Sequence, residues 1–231
     1  MQTQIKPIKK TTVVEQAIES LYDLVRSQNL KPGDRLPTER DLSEALNISR
    51  SSLREAIRVM DMMGIVEVEH GHGIRLSGLN LSQSISKPLN FLIATDSNML
   101  LELYEFRKLI EVESVKTAAL KITDVEIKEL KKLYSELKNY QHDRNLGIEL
   151  EIKIHETIAK AGNKIMSEVI MAIHDVMKVS RESTVAAVGV SDHTIKMHGK
   201  IIEALENRDP DSAAKYMLSH VESVYSRITE E

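Results

Sequence analysis

Apolar residues recur along most of the chain at the three- and four-residue spacing of a helix face, with one short alternating stretch between. Val13, Ala17, Leu21, Leu24 and Val25 predict a helix over about residues 11–28. The run Asn29-Leu30-Lys31-Pro32-Gly33-Asp34 then breaks it with a Pro-Gly turn signal. A second helix is expected from Pro37-Thr38, where Thr38 suits an N-cap and Asp41 stands three residues on, as in a capping box with Asp in place of Glu. Asn47-Ile48 makes a tight turn, and Ser49 caps a third helix that turns Leu53, Ala56, Ile57 and Met60 inward before Gly64 ends it. Ile65-Val66-Glu67-Val68-Glu69 and Gly73-Ile74-Arg75-Leu76 then read as two short strands around His70-Gly71-His72. Helix, helix, turn, helix and hairpin is the plan of a winged helix-turn-helix.

From Leu81 onward the pattern is helical almost throughout. Its punctuation predicts about seven helices, near residues 82–94, 98–121, 124–141, 145–161, 165–187, 191–207 and 210–229. The expected fold class is therefore mainly α: a winged helix-turn-helix over residues 1–77, then an all-helical bundle over residues 78–231.

Composition bounds the chemistry. With 231 residues and no cysteine, the chain can bury a core without disulfides and offers neither a thiol nucleophile nor a thiolate metal site. Met1 to Val14 contains no apolar stretch of signal-peptide length, and no window approaches a membrane span, so a cytoplasmic protein is expected. The net charge of −4 argues, on average, against a nucleic-acid partner. Its distribution removes the objection. Residues 1–76 hold 11 Lys/Arg and 11 Asp/Glu, whereas the remainder holds 20 and 24.

The neutral segment carries its arginines by position. Arg50, Arg54 and Arg58 are spaced i, i+4, i+8 and share the face opposite Leu53, Ile57 and Met60. An arginine stripe starting at a serine-rich helix N-terminus suits DNA, because the helix end and hydroxyls bind phosphate while Arg forks reach guanine edges. A solvated helix face with Glu55 as intrahelical partner is the blander account of the same three residues. Arg40, on the preceding helix, would sit close to that surface.

The run from Leu30 to Ser43, with its Leu36-Pro37-Thr38-Glu39-Arg40, resembles the opening of the GntR-family winged helix-turn-helix. So does Ile48-Ser49-Arg50-Ser51-Ser52-Leu53-Arg54-Glu55-Ala56-Ile57, followed by the wing His70-Gly71-His72-Gly73. The resemblance implies DNA contacts at Arg40, Ser49, Arg50, Ser51, Ser52 and Arg54, with His70 and Gly71 at the wing tip reaching the minor groove.

Six of the eight histidines lie in the helical segment. Glu151 and His155, spaced i, i+4, project from one helix face, and His198 and His220 fall on the last two helices. Together they could hold a divalent transition metal. Each alone is more often surface or core filler than ligand.

Leu103-Tyr104-Glu105-Phe106-Arg107-Lys108-Leu109-Ile110-Glu111 resembles the start of the FCD ligand-binding domain of FadR-like GntR regulators. The segments around Glu151 to Asn163, His198 to Leu205 and Ala214 to His220 are similar to its histidine motifs. The resemblance implies a metal held by Glu151, His155, His198 and His220, zinc first, with nickel or manganese as alternatives. Glu151 stands where the family has Asp. Arg107 would otherwise make a helix-surface ion pair with Glu111 or Glu105; the resemblance turns it into the cavity to engage the carboxylate of a small organic acid, with Asn163 near the pocket or acting as a helix cap.

The expected protein is a homodimeric, ligand-responsive repressor released from a pseudo-palindromic operator by a small carboxylate, with no catalytic residues. A metal-dependent helical-bundle enzyme fused to a DNA-binding domain is the alternative. It lacks a separate nucleophile motif and gives the winged helix no role.

Overall fold

The computed structural model describes residues 11–69, 73–78, 81–96, 98–140, 142–184 and 190–229. The chain divides into two compact units, Met1–Ser84 and Ile85–Glu231.

In the first unit, α1 (Val13–Ser27) opens with a full capping box. The Thr12 side chain accepts from Glu15 N, and the Glu15 carboxylate accepts from Thr12 N. Helix α2 (Glu39–Ala45) starts at the expected Thr38 cap, which accepts from Asp41 N. Asp41 does not complete the box: its carboxylate accepts from the Thr38 hydroxyl, one methylene too short to reach back to the cap backbone. The turn after α2 passes through Asn47 at φ 53°, a left-handed conformation that Asn tolerates better than most residues.

Helix α3 (Arg50–Met62) follows its Ser49 cap and buries Leu53, Ala56, Ile57 and Met60. Gly64, at φ 66°, supplies the left-handed exit. Strands β1 (Val66–Glu69) and β2 (Gly73–Leu76) pair antiparallel in the register Val66↔Leu76. An isolated bridge between Arg35 and Arg75 adds the segment before α2 to the hairpin edge. Leu21, Leu36, Leu42, Leu53, Ile57, Met60, Val66 and Ile74 close one small core beneath these elements. Helices, turn and hairpin thus fall where the apolar pattern puts them.

The remaining helices are α4 (Leu81–Thr95), α5 (Asn98–Lys121), α6 (Asp124–Tyr140), α7 (Arg144–Gly162), α8 (Lys164–Thr184), α9 (Asp192–Glu206) and α10 (Pro210–Thr229). The division between the two units falls within α4. Helix α5 is the hub of the second unit, packing against α7, α8, α9 and α10. It buries Leu103, Tyr104, Arg107, Glu111, Ser114, Val115, Ala118 and Ala119, so a charged pair interrupts a mostly apolar stripe. One apolar cluster, including Val115, Ile122, Leu130, Ile154, Ile158, Ile201 and Met217, joins α5, α6, α7, α9 and α10. A second, of Leu103, Tyr104, Ile173, Val176, Met177 and Val224, joins α5, α8 and α10.

Helix α7 approaches α5 closely at Gly162, where a Cβ would lie 2.8 Å from the Ser114 carbonyl oxygen and 3.1 Å from Ala118 N. Lys121 Nζ donates to the Gly162 carbonyl at 3.0 Å across the same crossing. Neither backbone can retreat without moving its helix. Gly162→Ala is expected to cost about 1–3 kcal/mol through this overpacking; chemical denaturation checks it, and an unchanged midpoint and slope would refute the close crossing.

Candidate functional site

In the first unit, helix α3 places Arg50, Arg54 and Arg58 on its exposed face, opposite the buried Leu53, Ile57 and Met60. At its N-terminus the Ser49 hydroxyl accepts from Ser52 N at 3.1 Å and lies 2.8 Å from Ser51 Oγ and 2.9 Å from Ser52 Oγ. Arg54 Nε donates to the Glu39 carboxylate at 2.7 Å, so its partner comes from α2 rather than from Glu55. Arg40 is exposed and pairs with Glu44 at 3.1 Å. Both ion pairs are largely solvated, which makes them cheap to exchange for phosphate. Arg40, Ser49, Arg50, Ser51, Ser52 and Arg54 therefore lie on α2 and around the start of α3. His70 and Gly71 lie outside the described residues.

In the second unit the four expected ligands converge. Glu151, His155, His198 and His220 each offer one ligand atom within 4.8 Å of the others, and all four are buried. Helix α7 supplies Glu151 and His155 from one face, α9 supplies His198, and α10 supplies His220. His155 Nε2 lies 3.1 Å from His220 Nε2 and 3.2 Å from His198 Nε2. Glu151 Oε1 lies 3.5 Å from His220 Nε2.

The opposite ring nitrogens decide what these contacts are. His198 Nδ1 faces the Thr194 carbonyl at 3.0 Å, an acceptor only, so the proton sits on Nδ1 and Nε2 carries a lone pair. His155 Nδ1 likewise donates to the Glu111 carboxylate. Two lone pairs therefore confront each other at His155 and His198, an arrangement a cation relieves. Tetrahedral zinc with bonds of about 2.0–2.1 Å sets its nitrogen ligands about 3.3 Å apart, close to the spacing found. Three imidazoles and a carboxylate fit such an ion.

Electrostatics point the same way. Burial pushes the His198 imidazolium well below its ordinary range, with His220 and His155 adding to the effect. Burial lowers His220 to about 4 against the opposing pull of the Glu151 carboxylate. It lowers His155 too, although Glu111 pulls the other way. Neutral imidazoles are the form a metal needs.

Around this cluster lies a second arrangement. Arg107 is completely buried, so its pairing with Glu111 is an interior ion pair rather than the surface pair its spacing suggests. Arg107 Nε donates to Glu111 Oε1, while both terminal nitrogens, Nη1 and Nη2, are buried without a hydrogen-bond partner. Glu111 also accepts from His174 Nε2 at 3.0 Å. Burial acts to raise the Glu111 carboxyl, but Arg107, His155 and His174 outweigh it and hold the group well below the usual range.

Asn163 does not join the cluster. It is exposed, and its Oδ1 accepts from Ile165 N and Met166 N to cap the start of α8. The sequence reading missed Glu111 and His174 as members of the site. The available signal was Arg107 and Glu111 occupying positions in the buried stripe of α5, beside Leu103, Ser114, Val115 and Ala118.

A winged helix-turn-helix followed by a helical domain with a buried polar site defines a class: DNA-binding transcriptional regulators with an appended effector domain. Family comparison agrees. The family described as "Bacterial regulatory proteins, gntR family" matches residues 13–76, and the FCD domain matches residues 102–223. The chain belongs to the GntR family of transcriptional regulators and carries its FCD domain.

Among its relatives, the HTH-type transcriptional regulator LutR of Bacillus subtilis is 29% identical over 87% of this chain and 94% of its own length. The HTH-type transcriptional repressor NanR of Cronobacter sakazakii is 26% identical, covering 96% of this chain and 87% of its own. A solved Streptococcus agalactiae GntR structure is 28% identical with a TM-score of 0.72, covering 93% of this chain and 100% of that one.

Protonation of the buried imidazoles sets a pH dependence for the protein held in chelator. Folded, His155, His198 and His220 bind fewer protons than they do unfolded, where the ordinary value is 6.5. Their contribution is thus intact above pH 6.5 and is lost as pH falls toward 4, where His220 takes up its proton. Unfolding midpoints measured across that range should decline, and less steeply for His198→Leu combined with His220→Leu. Equal slopes would contradict the buried, neutral assignment.

Proposed function

We propose that this regulator is a repressor whose second unit binds a divalent transition metal and, through it, a small organic acid that releases DNA. Arg40, Ser49, Arg50, Ser51, Ser52 and Arg54 read the operator, with the wing residues His70 and Gly71 reaching the minor groove. Glu151, His155, His198 and His220 hold the metal; zinc suits three imidazoles and a carboxylate best, and nickel or manganese would also fit. When bound, the metal supplies a Lewis-acid anchor for an anionic effector. Arg107 supplies the complementary fork, since two buried guanidinium nitrogens without partners suit a carboxylate bidentately.

The observation that carries this reading is the pairing of that buried, half-satisfied guanidinium with a four-ligand cluster, joined through the Glu111 carboxylate. A buried donor left unpaired is costly, so a ligand that satisfies it binds with that cost removed. Repression as the direction of control is supported by the relatives named NanR, which are repressors. A homodimer would set two α3 helices on half-sites about one helical turn apart. Effector binding then shifts the balance between DNA-competent and DNA-incompetent states by its difference in affinity for the two. Among the described residues no helix is long and apolar enough to cross a membrane, which accords with a regulator working in the cytoplasm.

A thermal-shift screen of small carboxylic acids, with and without added zinc, should yield acids that raise the unfolding midpoint only when metal is present. The same acids should release DNA selected from random sequence by the protein. Acids that stabilise the chelated protein equally would contradict a metal anchor. On selected DNA, Arg50→Ala or Arg54→Ala should cost about 1–3 kcal/mol while random DNA is affected less. Equal losses on both would reduce these arginines to phosphate contacts.

A further inference from the structure

The Glu111 carboxyl group is at 2% exposure, and it is not one of the four ligands. A buried carboxylate persists only when its neighbours repay the desolvation. Three do so. Oε2 accepts from His155 Nδ1, while Oε1 accepts from Arg107 Nε and from His174 Nε2.

Because a carboxylate only accepts, it dictates where its neighbours carry protons. His155 must place its proton on Nδ1, which leaves Nε2 as a lone pair directed toward His198 and His220. Arg107 is gripped by Nε, its innermost nitrogen, which leaves the buried Nη1 and Nη2 without a hydrogen-bond partner. His174 stands outside the four-ligand cluster and serves as the third donor.

Glu111, His155 and His174 are themselves close enough to suggest a second cation site. The Arg107 charge on the same carboxylate argues against it, since a second cation would share its counter-ion with a guanidinium.

We propose that Glu111 is the positioning residue of the effector site. It fixes the tautomer and ring orientation of His155 for metal, and it holds Arg107 with its terminal nitrogens free for an anion. The proposal rests on the metal-site reading above and deepens it, by making one carboxylate common to both halves of the site. Outer partners of metal-bound imidazoles commonly act in this manner.

The test is zinc affinity, read by competition with a chromophoric chelator, for the unmutated chain, Glu111→Gln, and Arg107→Met combined with Glu111→Gln. The double variant removes both members of the buried pair, so no uncompensated guanidinium remains to account for a loss. Both variants should bind zinc about 10–100-fold more weakly than the unmutated chain, with the metal-free double variant still unfolding cooperatively. Wild-type affinity in the folded double variant overturns the role of Glu111 and leaves the metal site standing. Absence of zinc binding by the unmutated chain overturns the metal site itself.

A second readout needs no variant of the carboxylate. In the metal-free, unmutated protein, nitrogen-15 NMR of the imidazoles should report His155 as the Nδ1–H tautomer, its signal assigned by loss in His155→Gln. An Nε2–H tautomer would overturn the proposal even if neither variant folds.

Discussion

Two imidazole nitrogens with lone pairs facing each other across 3.2 Å, deep in a helical bundle, are the constraint on which the second unit turns. Neither nitrogen can donate, because the Thr194 carbonyl and the Glu111 carboxylate take the protons on the far sides of the rings. Burial keeps the rings neutral, so protonation cannot easily relieve the contact near neutral pH. A bundle built only for stability would fill these positions with leucine or isoleucine. Retaining lone pairs in mutual opposition makes sense when a cation binds among them.

Helix α5 organises the rest. Its stripe packs apolar side chains against neighbouring helices at both ends, and between them it inserts Arg107 and Glu111. The close approach at Gly162 sets α7 tightly against α5, so the ring of His155 meets the carboxylate of Glu111. One interior ion pair thereby ties a guanidinium with unpartnered terminal nitrogens to an imidazole of the Glu151, His155, His198 and His220 cluster. In the first unit the corresponding logic is simpler. A serine cap starts α3, one face packs on the small core, and the other presents arginines to solvent.

Much of this was legible in the amino-acid order. Helix spans follow from apolar spacing and punctuation because Thr38, Ser49, Gly64 and Pro210 act locally, each through its own cap or turn chemistry. Glu151 and His155 share a face by spacing alone, whereas their meeting with His198 and His220 depends on how three helices pack, which no local rule encodes. The resemblance to the FCD domain supplied that link. Glu111 and His174 escaped notice for the same reason. At i, i+4 from Arg107, Glu111 looks like an ordinary solvated pair, and only the burial of α5 turns it into the centre of a network. Asn163 shows the reverse case, where a polar residue between two helices proves to be a cap.

A cation bound among these imidazoles would accompany the protein through purification. Elemental analysis of the protein purified without chelator, normalised to protein concentration, tests for it most directly. The expected result is about one equivalent of a divalent transition metal per chain, absent from His155→Ala combined with His220→Ala while that variant stays folded. A folded, unmutated chain with no divalent metal, and none acquired on dialysis against zinc, would contradict it.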